Sequence, residues 1–284
     1  MDTLANSVTL VQAESTRLTQ YLHALPVDAW HQPSACTQWQ IQDVVAHLTM
    51  AAEFYIDTVS RGLRGDTAPP EGFPSAGTVN AAAMAEPLAQ MARATREQLG
   101  DQVLTTFEAT LTRLNALLAG VGPQEWERPC YHPWRLMPVQ QFLAMSLQEL
   151  VLHGWDIRSH LAPDTSLSPE SLPALLDLIA TSRTSGFLSW AFRPGPRLST
   201  PVRYRFAVTG TTPSQVDIVV EGDQAHITEA GDMAASVTFH CDTETYVLVM
   251  YGRLSLEAAR ALGRLRIEGD QALVVAFGQW FKGA

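Results

Sequence analysis

The stretch "LQELVLHGWDIRSH", residues 147–160, decides how the first half of the chain folds. It places a glutamate, Glu149, and a histidine, His153, four positions apart in an otherwise apolar run. A helix turns about 100° per residue, so Arg158 and the glutamines of the surrounding helix, Gln140, Gln141 and Gln148, share one side, while Glu149 and His153 lie nearly opposite. The sequence therefore predicts a helix over about 138–161 that turns a carboxylate and an imidazole toward the protein interior.

A second predicted helix, over 38–61, repeats this pattern, since His47 lies opposite its polar side. Three candidate ligands, His47, Glu149 and His153, therefore converge on the interior from two helices. Burying an unpaired carboxylate costs several kcal/mol, so such groups are usually paired or coordinate a metal. Two interpretations fit the residues: a divalent ion with one open coordination position, or a polar network without metal.

The rest of the first half is also predicted to be helical. A capping box, Thr37 with Gln40, starts the helix over 38–61. Further helices are expected over 3–24 and over about 80–119, the latter broken near Pro87. The intervening loop, residues 62–79, is rich in glycine and proline. Antiparallel helices of this kind form a four-helix bundle.

The second half changes its period from helical to alternating. A helix over about 169–190 and a proline-rich connector, "FRPGPRLSTP", come first. Alternation then predicts strands of an antiparallel meander within 202–210, 214–222, 224–230 and 235–241. Helices are expected to follow at about 243–251, 255–262 and 270–281. The fold class is thus α+β, with a helical domain over 1–165 and a small α+β domain over 166–284.

Composition and charge exclude several classes of function. The 284 residues carry 19 basic and 29 acidic side chains, a net charge of −10, with no basic run. We therefore expect neither nucleic-acid nor membrane binding, because both need clustered Lys and Arg. No signal peptide or membrane span is evident. The three scattered cysteines predict reduced thiols in a cytoplasmic protein, and none is proposed as a nucleophile.

Two segments together resemble a known family. "TQWQIQDVVAHLTMAAEFY" and the later "QELVLHGWDIRSH" are similar to the mycothiol-dependent maleylpyruvate isomerase family of DinB-like metalloenzymes. The family patterns W-x-x-x-D-V-x-x-H-L and E-x-x-x-H-G-W-D are matched by Trp39, Asp43, Val44, His47, Leu48 and by Glu149, His153, Gly154, Trp155, Asp156. The resemblance implies a DinB-like four-helix bundle and a divalent ion, usually zinc, held by His47, Glu149 and His153. Residues 236–281 resemble the sterol-carrier-like domain that such proteins append.

The resemblance also implies a chemistry. We expect a metal-dependent enzyme that uses a low-molecular-weight thiol such as mycothiol, as an S-transferase or an isomerase, on a small-molecule substrate. Two alternatives stay open: a metal-dependent hydrolase that uses water, and a non-catalytic protein that binds an apolar ligand in the sterol-carrier-like domain. A monomer or a homodimer is expected. The metal, the thiol and the substrate are not fixed by the sequence.

Further candidates stand close to the proposed ligands. Asp156, one turn past His153, could hydrogen-bond that imidazole or act as a base, although a capping or ion-pair role is the somewhat commoner case. Asp43, one turn before His47, could orient its ring or simply favour the helix dipole. Arg135, in the loop "CYHPWRLMP", could bind a substrate carboxylate or be a solvated surface residue. We therefore take Asp156 and Arg135 as the candidate catalytic residues.

Overall fold

The computed structural model describes residues 2–79, 84–185, 192–193, 195, 198–210 and 213–282. The chain divides into two compact units, 1–171 and 172–284. This division lies a few residues after the expected one between 165 and 166. Neither unit contains, among its described residues, a helix long and apolar enough to cross a membrane.

The first unit is a helical bundle, as the sequence predicts. Its described α-helices are α1 (Asp2–Ala24), α2 (Ile41–Leu63), α3 (Ala85–Leu99), α4 (Val103–Ala119) and α5 (Val139–Leu161). Helix α2 packs against α3, α4 and α5, and α1 packs against α4 and α5. Their inner faces bury a continuous apolar core that includes Val44, Phe107, Leu114, Phe142 and Leu150. Helix α2 is therefore central, and its contact with α5 brings the two predicted ligand helices together.

The N-terminus of α2 is capped one turn later than predicted. The reciprocal capping box joins Gln40 and Asp43, not Thr37 and Gln40. The Gln40 N–H donates to Oδ2 of Asp43 at 2.9 Å. Asp43 also pairs with Arg96 of α3, whose Nε lies 3.0 Å from Oδ1. Because α2 begins at Ile41, Gln40 and Asp43 satisfy the free amides of its first turn, whereas Thr37 lies too far upstream to reach them.

The helix expected over 80–119 is interrupted at Gly100, so the predicted break near Pro87 was wrong. Gly100 adopts φ +51°, a conformation that favours glycine, and it separates α3 from α4. Pro87 lies in the first turn of α3, where its missing N–H removes no helical hydrogen bond. Residues 80–83 of the predicted helix lie outside the described residues.

A short hairpin that the sequence did not reveal precedes α5. It pairs β1 (Pro129–Cys130) with β2 (Met137–Pro138), and Pro138 is the residue directly before α5. The hairpin lies directly against α2 at Gly62. A Cβ atom on Gly62 would come within 2.2 Å of the Cys130 Sγ atom and 2.9 Å of the Pro129 carbonyl oxygen. Glycine is therefore required for this close approach.

The second unit contains a five-stranded sheet. Its strands are β3 (Val202–Thr209), β4 (Ser214–Glu221), β5 (Gln224–Glu229), β6 (Val237–Asp242) and β7 (Leu265–Gly269). The strand order is β5-β4-β3-β6-β7. Strands β3, β4 and β5 form the predicted antiparallel meander, but β6 pairs with β3 in parallel rather than continuing beyond β5. Strand β7, which the sequence analysis missed, pairs with β6 in antiparallel orientation.

Contacts of the 230–236 segment explain this strand order. The carboxylate of Asp217 is fully buried and pairs with Arg203 and Arg205, both at 2.8 Å. Arg205 also donates to the carbonyl oxygens of Gly231 and Met233, at 2.7 and 3.0 Å. These bonds hold the segment that carries the chain from β5 to the far side of β3. The alternating pattern sets which residues face inward but does not choose a strand's neighbour.

Helices complete the second unit. Those described are α6 (Leu172–Ser185), α7 (Thr243–Met250), α8 (Leu256–Ala261) and α9 (Gln271–Trp280). The part of the predicted helix at 186–190 lies outside the described residues. An aromatic core joins sheet and helix, with the ring of Phe277 5.0 Å from those of Tyr204 and Phe239. The predicted α+β class, a helical bundle followed by a small sheet domain, is confirmed.

Candidate metal centre

The three predicted ligands meet in the interior of the bundle. His47 lies on α2, and Glu149 and His153 lie one turn apart on α5. The Nε2 atoms of His47 and His153 each lie 3.2 Å from Oε2 of Glu149. One donor atom from each residue falls within 4.8 Å of the others. The packing of α2 on α5 thus gathers two imidazoles and one carboxylate around a common point.

An indole ring covers the two histidines. The ring of Trp39, just before α2, lies 5.1 Å from that of His47 and 6.2 Å from that of His153. The histidine side chains are only 11% and 12% exposed, whereas Glu149 keeps 21% of its side chain exposed. The site is therefore largely dry but still open on the side of the carboxylate.

The expected candidate Asp156 contacts the far side of His153. Its Oδ2 atom lies 2.9 Å from Nδ1 of His153, and the Asp156 side chain is only 1% exposed. The three-residue spacing on α5 places both side chains on one helical face. A carboxylate in this position fixes the imidazole as the tautomer with hydrogen on Nδ1 and leaves the Nε2 lone pair toward the other ligands. The contact supports an orienting role for Asp156.

The charges of the cluster are strongly coupled. Burial alone would raise the pKa of the Glu149 carboxyl, but hydrogen bonds with His153 and His47 hold that pKa well below its usual range. Burial alone would lower the pKa of His153, but hydrogen bonds with Asp156, Cys36 and Glu149 hold it well above its usual value. Burial and then the Glu149 charge raise the pKa of Tyr55. With one hydrogen already on Nδ1, a second proton on His153 would take Nε2. A metal ion would need the same nitrogen, so the proton and the ion would compete for it.

The donor set fits a divalent ion. Two ligand atoms that each lie about 2.1 Å from one ion, at a tetrahedral angle, are about 3.4 Å apart. The two 3.2 Å distances to Glu149 agree with that spacing. His47 fits less completely, because its buried Nδ1 atom has no hydrogen-bond partner among the described residues. Of the two roles left open for Asp43, orienting this ring finds no support among the described contacts, in which its carboxylate accepts from Arg96 and from the Gln40 N–H.

The other predicted catalytic residue, Arg135, is not brought to the three ligands by any described contact. Its side chain is exposed, and its guanidinium donates to Oε1 of Gln141 at 3.4 Å. Within the same loop, Tyr131 and His132 are buried. The Tyr131 hydroxyl donates to the Pro74 carbonyl oxygen at 2.6 Å. A substrate-binding role for Arg135 stays a prediction.

Sequence reasoning missed one side chain of the cluster. The Sγ atom of Cys36 lies 3.2 Å from Oδ2 of Asp156 and 3.7 Å from Nδ1 of His153. The three cysteines are scattered and no sequence motif surrounds any of them, so the sequence does not indicate this contact. Only the pattern of helix faces was available as a signal, and Cys36 stands outside any helix, between residues 32 and 40.

Comparison with known proteins identifies the family. Residues 11–158 match the family model described as the mycothiol maleylpyruvate isomerase N-terminal domain. That match covers more than half of the 284 residues. The chain belongs to this family. Residues 200–282 match the model of the SCP-2 sterol transfer family, and both predicted resemblances are thereby confirmed.

Solved structures show the same fold. The crystal structure of a mycothiol-dependent maleylpyruvate isomerase aligns with a TM-score of 0.61 at 14% identity, over 88% of this chain and 89% of that chain. A histidine-to-alanine mutant of a mycothiol-dependent maleylpyruvate isomerase aligns with a TM-score of 0.60, at the same identity and coverage. No curated protein matches the chain. At this identity the structural likeness shows the fold and leaves the reaction to the site itself.

Proposed function

We propose that this protein is a divalent-metal-dependent enzyme that uses a low-molecular-weight thiol, such as mycothiol, on a small electrophilic substrate. The reaction type is an S-transfer or an isomerisation. One observation carries the proposal: His47 and His153 both present Nε2 to the same oxygen of Glu149, at 3.2 Å, in a buried site. Membership of the mycothiol maleylpyruvate isomerase family supports the thiol.

In this proposal His47, Glu149 and His153 hold the ion, and zinc suits a set of two imidazoles and one carboxylate. Three protein ligands leave one coordination position for a small molecule. A divalent ion in such a site supplies Lewis acidity, which lowers the pKa of a thiol or water molecule that it binds. The residues of the chain position the ion and form the environment around it.

Two groups of residues would prepare the site. Asp156 holds the proton of His153 on Nδ1, so that the Nε2 lone pair stays directed at the ligand cluster. Trp39 and the buried Tyr55 and Phe142 exclude water on their sides of the bundle. A low-dielectric setting strengthens every charge interaction in the site, including that of a thiolate with the residues around it.

A thiol panel tests this proposal on cobalt-substituted protein. Mycothiol, bacillithiol, glutathione and cysteine would be added in turn, and a sulfur-to-cobalt charge-transfer band is expected with at least one of them. The band should disappear in Glu149→Gln, which keeps the side-chain shape but removes the charge. It should persist in His160→Ala, a matched control, because His160 is an exposed histidine of the same helix. Bound cobalt without a band or turnover for any thiol would contradict the proposal and favour hydrolysis.

A further inference from the structure

The segment before α2 is fastened to α5 beside the candidate metal centre. The backbone N–H of Ala35 donates to the carbonyl oxygen of Asp156 at 2.9 Å. The Cys36 N–H donates to Oγ of Ser34 at 3.2 Å, and the Trp39 N–H donates to the Cys36 carbonyl oxygen at 3.1 Å. These bonds hold the Cys36 side chain against α5, so its place beside Asp156 is built into the fold.

One oxygen of Asp156 serves two partners. Its Oδ2 atom lies 2.9 Å from Nδ1 of His153 and 3.2 Å from Sγ of Cys36. The Cys36 thiol can donate to this oxygen while the imidazole donates its own N–H. The contact lies on the side of His153 that faces away from His47 and Glu149, where the described structure gives the thiol no contact with the other two ligands.

We propose that Cys36 is a positioning residue for His153 and acts through Asp156; this rests on the metal centre of the proposed function. The thiol fixes the direction of the Asp156 carboxylate, and the carboxylate fixes the tautomer and the ring of His153. Removing the thiol opens a space of about one sulfur atom next to Oδ2. The carboxylate can then rotate or accept from water, and its bond to the imidazole weakens.

The affinity for the metal should therefore depend on a hydrogen-bond donor in the side chain at position 36. Loss of a group that orients a ligand histidine typically costs 10- to 100-fold in affinity. The direct contact of Cys36 with Nδ1 of His153, at 3.7 Å, is much longer than the 2.9 Å contact of Asp156, so the loss of Cys36 should cost less. We therefore expect Cys36→Ala to weaken Zn²⁺ binding by about 3- to 10-fold. Cys36→Ser, which keeps a donor, should stay within about twofold of wild type.

A double-mutant cycle separates positioning through Asp156 from simple packing. Zn²⁺ affinity would be measured by competition with a chromophoric chelator for wild type, Cys36→Ala, Asp156→Asn and the double variant. If Cys36 acts through Asp156, the Cys36→Ala substitution should change affinity by less than about twofold in the Asp156→Asn background. The proposal would be overturned if Cys36→Ala weakened Zn²⁺ binding as much in the Asp156→Asn background as in wild type. Equal losses of affinity in Cys36→Ser and Cys36→Ala would also overturn it.

Two readouts keep this test distinct from that of the proposed function. In metal-free protein, the NMR signal of the His153 Nδ1 proton should exchange faster with solvent in Cys36→Ala than in Cys36→Ser. A wild-type chain that binds no zinc would overturn both proposals, whereas unchanged affinity in Cys36→Ala would overturn only this one. A thiolate-to-cobalt band without added thiol that disappears in Cys36→Ser would show that Cys36 is a direct ligand, and would also overturn the positioning role.

Discussion

Replacing His132 with phenylalanine should remove an acid-induced loss of stability that the wild-type chain shows below neutral pH. His132 is buried, and its ring lies 5.7 Å from that of Phe54 and 6.0 Å from that of Phe142. Burial, and then the positive charge of Arg135, lower its pKa to about 4. The folded chain therefore keeps this imidazole neutral in a range where the unfolded chain protonates it.

The sign and size of the effect follow from these values. As the pH falls below 6.5, the unfolded state binds a proton that the folded state refuses until about 4, so stability is lost across that interval and is unaffected above it. The folded pKa lies about 2.5 below 6.5, which corresponds to about 3.4 kcal/mol at the acid limit. Between about pH 7.5 and pH 4.5 the expected loss is about 2.5 kcal/mol.

Urea unfolding of metal-free protein, monitored by circular dichroism at several pH values, measures this loss. Phenylalanine also removes the bond from the Trp134 N–H to Nδ1 of His132. The folded chain keeps that bond until the imidazole is protonated near pH 4, so its loss is a constant offset across the measured interval and does not alter the comparison of slopes. The control Val27→Ala changes an exposed side chain without a titratable group, so its curve should run parallel to that of wild type. A wild-type curve that is parallel to that of His132→Phe, or an NMR titration of His132 near 6.5, would refute the reasoning.

Two further outcomes follow from the structure. Gly62→Ala should destabilise the chain by about 1–3 kcal/mol, because its Cβ would lie 2.2 Å from the Cys130 Sγ atom. The control Gly278→Ala, whose Cβ would meet nothing within 4 Å, should be neutral or stabilising by up to about 1 kcal/mol in the same urea experiment. Zinc affinity should rise with pH, since hydrogen bonds hold the pKa of His153 above its usual 6.5 and the ion must displace its proton. Calorimetry in two buffers of different ionisation enthalpy should detect that released proton, and a pH-independent affinity between about pH 6 and 8 would count against the site.

The helical period was enough to predict which side chains meet. A helix fixes the direction of each side chain, so the sequence placed His47, Glu149 and His153 on inner faces before any contact was known. Their convergence then needed only the packing of α2 on α5. The fold class followed in the same way from the change of period after the bundle.

Irregular segments were not predictable in this way. Cys36 lies outside any periodic element and meets Asp156 across 120 residues of sequence, so no local pattern indicated the contact. The helix break was assigned to Pro87, although a proline in the first turn is harmless and Gly100 supplies the required positive φ. Alternation likewise gave the inward residues of β6 without giving β3 as its neighbour.

Metal content of purified protein tests the central claim most directly. Wild type and His160→Ala should each bind about one zinc ion per chain, as three convergent ligands predict. His47→Ala, Glu149→Gln and His153→Ala should each lose the ion after dialysis against a weak chelator, while circular dichroism shows the bundle still folded. A wild-type chain that takes up no zinc, or full occupancy in all three variants, would contradict the assignment of His47, Glu149 and His153 as the metal ligands.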